Sequence, residues 1–303
     1  MTYTEFVDKI AEDLRTDFST VLPKQYRNTE IGAREVKKLQ GCSYYGLNFR
    51  PEGAVTDASL DLKPLYEALE DGRPYPDLLA ELEQELLRLA PRMPAPDPEL
   101  FMDYENLKPY LTIHLIPRKG NEEMLEEIPH WDFEDLCAVY RVDLSELGCP
   151  DSSMLVTSEL LRHYGVTPEE LHRDALHFAP MSHPASLRSL SEIMAERCRQ
   201  SAPYRMGGGP EILVATVADG FSGAGVLLYP GVLDRAAGRL GGSFFVLPSS
   251  VHELLFIEDN GDIHPEFLKE MVSAINAAHV APKDRLTDSV YHYTAEGALL
   301  EAV

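Results

Sequence analysis

Between Ile212 and Ile257 four short runs rich in apolar, β-branched and aromatic residues, ILVATVA, GAGVLLY, SFFVL and ELLFI, follow one another with one helical pattern among them, at 230 to 240. The runs predict four strands. The helix starts at Pro230 and stops at Gly241, residues suited to each end. Helical and strand signals mix along the whole chain without regular βαβ alternation. The sequence therefore predicts an α+β fold, with mixed, largely antiparallel sheets packed with helices.

Local signals fix further elements. Thr2 with Glu5 makes a capping box for a first helix whose Phe6, Ile10, Leu14 and Phe18 share one face. Residues 33 to 50 predict a hairpin, with Tyr45, Leu47 and Phe49 alternating to one side. Residues 60 to 104 are helical and acidic, interrupted by PRMPAPDP, a stiff connector. YLTIHLIP and DLCAVYRVDL predict strands around a short helix in EEMLEEIP, and IPHWDFED reads as the turn and cap before the second. Thr167, Pro168 and Glu170 open a helix, one ending at Gly165 precedes it, and further helices are predicted over 186 to 200 and 264 to 278. DSVYHYT reads as a last short strand. A soft boundary falls at the Gly148 to Pro150 loop, dividing 1–148 from 149–303, with one continuous sheet as the alternative.

Charge limits the partners. The chain of 303 residues carries a formal −23, concentrated in residues 57 to 105 (13 acidic, 4 basic) and 121 to 146 (9 acidic, 1 basic). Such a field repels phosphate backbones and anionic lipid, so direct nucleic acid binding and membrane attachment are not expected. No apolar run is long enough to span a bilayer, and MTYTEFVDKIAEDLR lacks the continuous apolar stretch of a signal peptide. Four scattered cysteines (Cys42, Cys137, Cys149, Cys198) without a CxxC pair fit a reducing, cytoplasmic setting.

LLYPGVLDRAAGRLGGSFFVLPSSVHELLFI, with IPHWDFEDLCAVYRVDL and VTPEELHRDAL before it and INAAHVAPKDRLTDSVYHY after it, resembles an uncharacterised bacterial family, domain of unknown function 5688, over nearly the whole chain. The segment Gly223 to Ile257 also resembles part of domain of unknown function 1444. The resemblance implies a cytoplasmic bacterial protein with one family-wide fold, and it carries no activity, cofactor or site.

Candidate chemistry is sparse. VHELLFI holds His252 and Glu253 but has Phe256 where a zinc protease helix needs its second histidine, and it reads as a strand. Ser250 (or Ser249), His252 and Glu253 (or Asp259) remain a candidate hydrolytic set, without a GxSxG elbow. His130, Asp132 and Asp135 are candidate binding residues whose spacing matches no recognised metal site. DGFSGAG lacks the lysine of a phosphate loop and reads as a glycine-rich turn, and DNGDIHPE falls short of a calcium loop. No motif asks for a cofactor or metal. The expected function is a non-enzymatic cytoplasmic interaction or scaffold protein with an acidic surface for a basic protein partner. The alternative is a small-molecule or peptide hydrolase with a polar site at strand ends.

Overall fold

A computed structural model describes residues 1–20, 27–37, 43–52, 58–90, 98–147, 153–197, 209–218, 220, 222–248 and 250–303. The PRMPAPDP connector, the 38–42 hairpin loop, Ser249, Asp219 and three of the cysteines (Cys42, Cys149, Cys198) lie outside these residues, apart from Pro98. Two compact units are present, Met1–Asp103 with Leu144–Ser152, and Tyr104–Asp143 with Ser153–Val303. The boundary drawn at 148/149 follows composition, whereas these units follow packing.

In the first unit the capping box forms as expected. Glu5 accepts the Thr2 N–H at 2.8 Å and Thr2 Oγ1 accepts the Glu5 N–H at 3.3 Å, opening α1 (Tyr3–Thr20). Phe6, Ile10, Leu14 and Phe18 are buried against a sheet of β1 (Glu30–Lys37), β2 (Ser43–Arg50) and β3 (Ala58–Leu60) in that order. β1 and β2 are the expected hairpin, and β3 is a three-residue addition too short to signal itself in sequence. Leu47 and Phe49 face α1, with the Phe49 ring 5.5 Å from that of Phe18, and Arg15 donates from Nε and a terminal nitrogen to the Ile31 carbonyl. Burying each such side chain contributes about 1.5–3 kcal/mol, so this face holds the helix far more firmly than its cap does. α2 (Lys63–Glu70) and α3 (Tyr75–Leu89) close the unit, with Leu78, Leu82 and Leu86 buried.

The second unit holds two antiparallel sheets. α4 (Tyr104–Leu107) leads into β4 (Leu111–Pro117), α5 (Glu122–Leu125), β5 (His130–Phe133), β6 (Leu136–Asp143) and β7 (Ser153–Leu155). β6 pairs with β4 along one edge, and with β5 and then β7 along the other. The strand β5 corrects the turn-and-cap reading of IPHWDFED. Its residues pair with 136–139 across a two-residue connection, Glu134-Asp135, in which Glu134 takes φ 50 without being glycine. Without a Gly at this position the sequence carries no hairpin-turn signal. Glu134→Gly is expected to raise stability by about 1 kcal/mol, measured as a shift in the urea midpoint. A drop would mean that the Glu134 side chain holds the turn.

α6 (Ser158–Tyr164) ends at Gly165 in the left-handed region, and α7 (Pro168–Ser182) opens on the expected Thr167/Glu170 capping box. The helix expected over 186–200 begins as β8 (Ala185–Ser189) and turns helical only at α8 (Leu190–Arg197). Pairing with β9 (Ile212–Val217) overrides the local preference there. Then follow α9 (Val232–Leu240), β10 (Phe244–Leu247), β11 (Leu254–Glu258), α10 (Pro265–His279), β12 (Tyr291–Thr294) and β13 (Leu299–Ala302). The second sheet runs β13-β12-β10-β11-β9-β8, antiparallel throughout.

GAGVLLY is not the expected strand. Residues Gly223–Leu228 form a buried 3-10 segment. A Cβ on Gly225 would sit 2.0 Å from the Ile113 carbonyl oxygen of β4, and one on Gly223 would sit 2.2 Å from Thr216 Oγ1. The glycines let this backbone wedge between the two sheets, a contact that the apolar pattern alone does not reveal.

Candidate functional site

The turn between β10 and β11 positions His252. Its N–H donates to Ser250 Oγ at 3.1 Å, while its carbonyl accepts from Thr216 Oγ1 at 2.7 Å and from the Gly223 N–H at 3.1 Å. With the backbone pinned, each ring nitrogen has a polar neighbour. Nδ1 accepts the Ser222 N–H at 3.1 Å, and Nε2 lies 3.4 Å from Asp284 Oδ1. Ser250 thus meets the main chain of His252 rather than its ring. Glu253 is exposed, with no hydrogen bond or ion pair among the described residues. Asp259 lies with a different histidine, its Oδ2 at 2.9 Å from His292 Nε2.

The three residues singled out on the β5 hairpin separate into two environments. His130 and Asp132 alternate onto one face of β5. His130 Nδ1 donates to the Ile128 carbonyl at 3.1 Å, and its Nε2 is 3.6 Å from Asp132 Oδ1. Asp132 also pairs with Arg118 and accepts from the Cys137 thiol at 3.3 Å. Burial, reinforced by that carboxylate, pushes the Cys137 thiol up to about 12, so it stays protonated and unreactive. Trp131, on the other face, stacks on His172 at 4.3 Å with planes 5° apart. His172 Nδ1 is in turn 2.6 Å from the buried Tyr140 hydroxyl, and burial lowers the imidazole's affinity for a proton.

Asp135 turns elsewhere. Its carboxylate accepts from Thr287 Oγ1, from Ser289 Oγ at 2.9 Å and from the Tyr291 hydroxyl, while its carbonyl accepts the Arg118 N–H at 2.9 Å. It therefore ties the hairpin of one sheet to the strand β12 of the other. Partial desolvation pushes the carboxyl up, but the three hydroxyl donors outweigh it and hold the carboxyl below its ordinary range. Tyr291, fully buried, is shifted strongly upward by burial and by this same carboxylate.

A fourth polar group lies on β4 and β6. Thr112, His114, Arg141 and Asp143 share a face by register. His183 Nε2 is 3.1 Å from Asp143 Oδ2, and Arg141 donates to Ser153 Oγ at 2.8 Å and to the Ser153 carbonyl at 3.0 Å. Burial drives the His114 imidazole down to about 3, so it is neutral at ordinary pH. Among the described residues, no three His, Cys, Asp or Glu side chains converge so as to hold a metal ion.

Of the residues expected to act together, His252, Asp132 and Asp135 each gather a polar set, and the ring neighbours of His252, Ser222 and Asp284, come from outside the expected cluster. Ser222 sits inside DGFSGAG, whose pattern reads as a glycine-rich turn, and Asp284 lies 32 positions from His252, beyond any local pattern.

A family model described as a family of unknown function, DUF5688, matches residues 3–295. No curated protein and no solved structure matches the chain.

Proposed function

The chain belongs to this family of unknown function, DUF5688, and with no activity to inherit from it we propose that the protein works by binding a basic protein partner in the cytoplasm. One observation supports this reading. Glu67, Glu70, Asp71 and Asp77 all stand exposed on or between α2 and α3, with no ion pair among the described residues. The arginines of the same stretch are already used, Arg73 by Glu81 at 2.7 Å and Arg88 by Glu85 at 2.6 Å. The leucines point inward, so the acids form the outer face by default of the amphipathic pattern. Neighbouring carboxylates repel one another, and a basic partner relieves that repulsion and is steered toward it. The same field disfavours nucleic acid. No helix among the described residues is long and apolar enough to cross a membrane.

The test is affinity capture from the native host with wild type, with E67Q/E70Q/D71N/D77N, and with E126Q/E127Q/E134Q from the second unit. The expected result is a basic protein that the first variant loses by about tenfold, that the second retains, and that added salt releases. An identical partner list from all three baits would sink the proposal.

A further inference from the structure

We propose that the groove between α10 and the 287–289 turn binds a small zwitterion, the ammonium and carboxylate of a free amino acid or a short peptide. The site shares no residue with the acidic face of α2 and α3. Lys269, Glu270, Ser273, Thr287, Asp288 and Ser289 line an open cavity of about 510 Å³, room for such a ligand with water beside it. None of the six is an apolar residue, so charge and hydrogen bonds carry the recognition.

Charges of both signs stand in this groove without pairing. Lys269 is half-buried, yet no carboxylate forms an ion pair with its ammonium among the described residues. Lys269 and Glu270 are adjacent on a helix and do not face each other, and Asp288 belongs to the opposite wall. The side chains of Glu270 and Ser273 are exposed, with no hydrogen bond or ion pair among the described residues. Asp288 gives Oδ1 to Asn276 and has no other side-chain partner among them. Opposite charges held apart across one cavity offer a single ligand both a cation and an anion.

The walls are fixed in advance. Asn276, one turn along α10 from Ser273, donates from Nδ2 to the Thr287 carbonyl at 3.1 Å and to Asp288 Oδ1 at 2.7 Å. Behind the turn, Asp135 accepts from Thr287 Oγ1 and from Ser289 Oγ at 2.9 Å, and the Ser289 N–H donates to Thr287 Oγ1 at 3.0 Å. Asn276 supplies an independent observation. It is buried, and its Oδ1 has no hydrogen-bond partner among the described residues. An unsatisfied buried acceptor is destabilising, and here it accompanies an amide whose hydrogens both go to orienting the turn that carries Asp288. Such preorganisation lowers the cost of ordering the site when a ligand arrives.

The ligand's ammonium lies on the Asp288 carboxylate with Glu270 beside it, and its carboxylate lies on the Lys269 ammonium with the Ser273 hydroxyl as a further donor. The chain's formal −23 draws in the ammonium and opposes a ligand that carries a carboxylate alone. Because the groove is open, water and salt screen both pairs, so binding is salt-sensitive and needs both charges.

The test is a titration of the 15N-labelled full chain at low salt with glycine and with glycylglycine, followed by amide chemical shifts. The expected result is saturable shifts at residues 269–276 and 287–289. A tighter fit for glycine assigns the site to free amino acids, and a tighter fit for glycylglycine assigns it to peptide ends. The N-acetyl and C-terminal amide forms of the better ligand bind about fivefold more weakly or worse. Lys269→Gln weakens the parent ligand by a similar factor and no longer distinguishes it from its amide. Asp288→Asn, which keeps an acceptor for Asn276, no longer distinguishes it from its N-acetyl form. No saturable shift at these residues, equal affinity for the charge-deleted forms, or wild-type affinity in the folded Lys269→Gln chain overturns the assignment.

Discussion

Gly225→Ala is expected to destabilise the second unit by about 3 kcal/mol, seen as a large fall in the urea midpoint. The new methyl group would meet the Ile113 carbonyl oxygen at 2.0 Å and its carbon at 2.9 Å. Both are backbone atoms of β4, which is paired with β6 along its whole length, so neither yields as a side-chain tip would. The 3-10 segment must move away or the strand must shift. Gly238→Ala on the exposed side of α9 is the matched control. Nothing lies within 4 Å of its Cβ position, and removing glycine from a helix interior gains up to about 1 kcal/mol. If both variants melt alike, the wedge between the sheets is not where the stability lies.

Asp135→Asn is the second large effect, about 2 kcal/mol at neutral pH after allowing for the partial exposure of the carboxylate. The change replaces one acceptor oxygen with a donor in front of three hydroxyls, and strands the buried Tyr291 hydroxyl. Tyr291→Phe removes one of those donors, so the double variant should cost less than the sum of the singles. The pH dependence has a definite sign. A carboxyl whose folded pKa lies below its unfolded value contributes stability that is complete above the unfolded value and is lost as pH falls through the folded one. The gap between wild type and Asp135→Asn should therefore close in acid, below about pH 4. His114 acts in the same direction in both proteins. Its imidazole is held down to about 3, so its contribution is complete above the ordinary imidazole value and declines as pH falls from there. A gap that stays constant from pH 7 to pH 3 would count against the carboxylate's role.

Legibility in the sequence followed the range of the interactions. Thr2 with Glu5, Thr167 with Glu170, and Gly165 are partners within three residues or single-residue conformations, and each formed where the sequence placed it. Ala185–Ser189 and Gly223–Leu228 went the other way, because a neighbouring strand recruited the first and close backbone contact, not a ladder, shaped the second. The candidate site shows the same division. His252 stood out on type alone, while its ring partners come from a loop 30 residues earlier and a turn 32 residues later. Asp135 was picked out as one of a cluster, yet its partners lie 152 to 156 positions away.

By itself the sequence determined what local chemistry decides: the α+β class with antiparallel pairing, the caps and breaks of its main helices, and an acid excess strong enough to set the sign of its field. Only the tertiary structure decided which polar groups meet. Side-chain contacts between elements depend on register and packing across long loops, and neither periodicity nor capping carries that information.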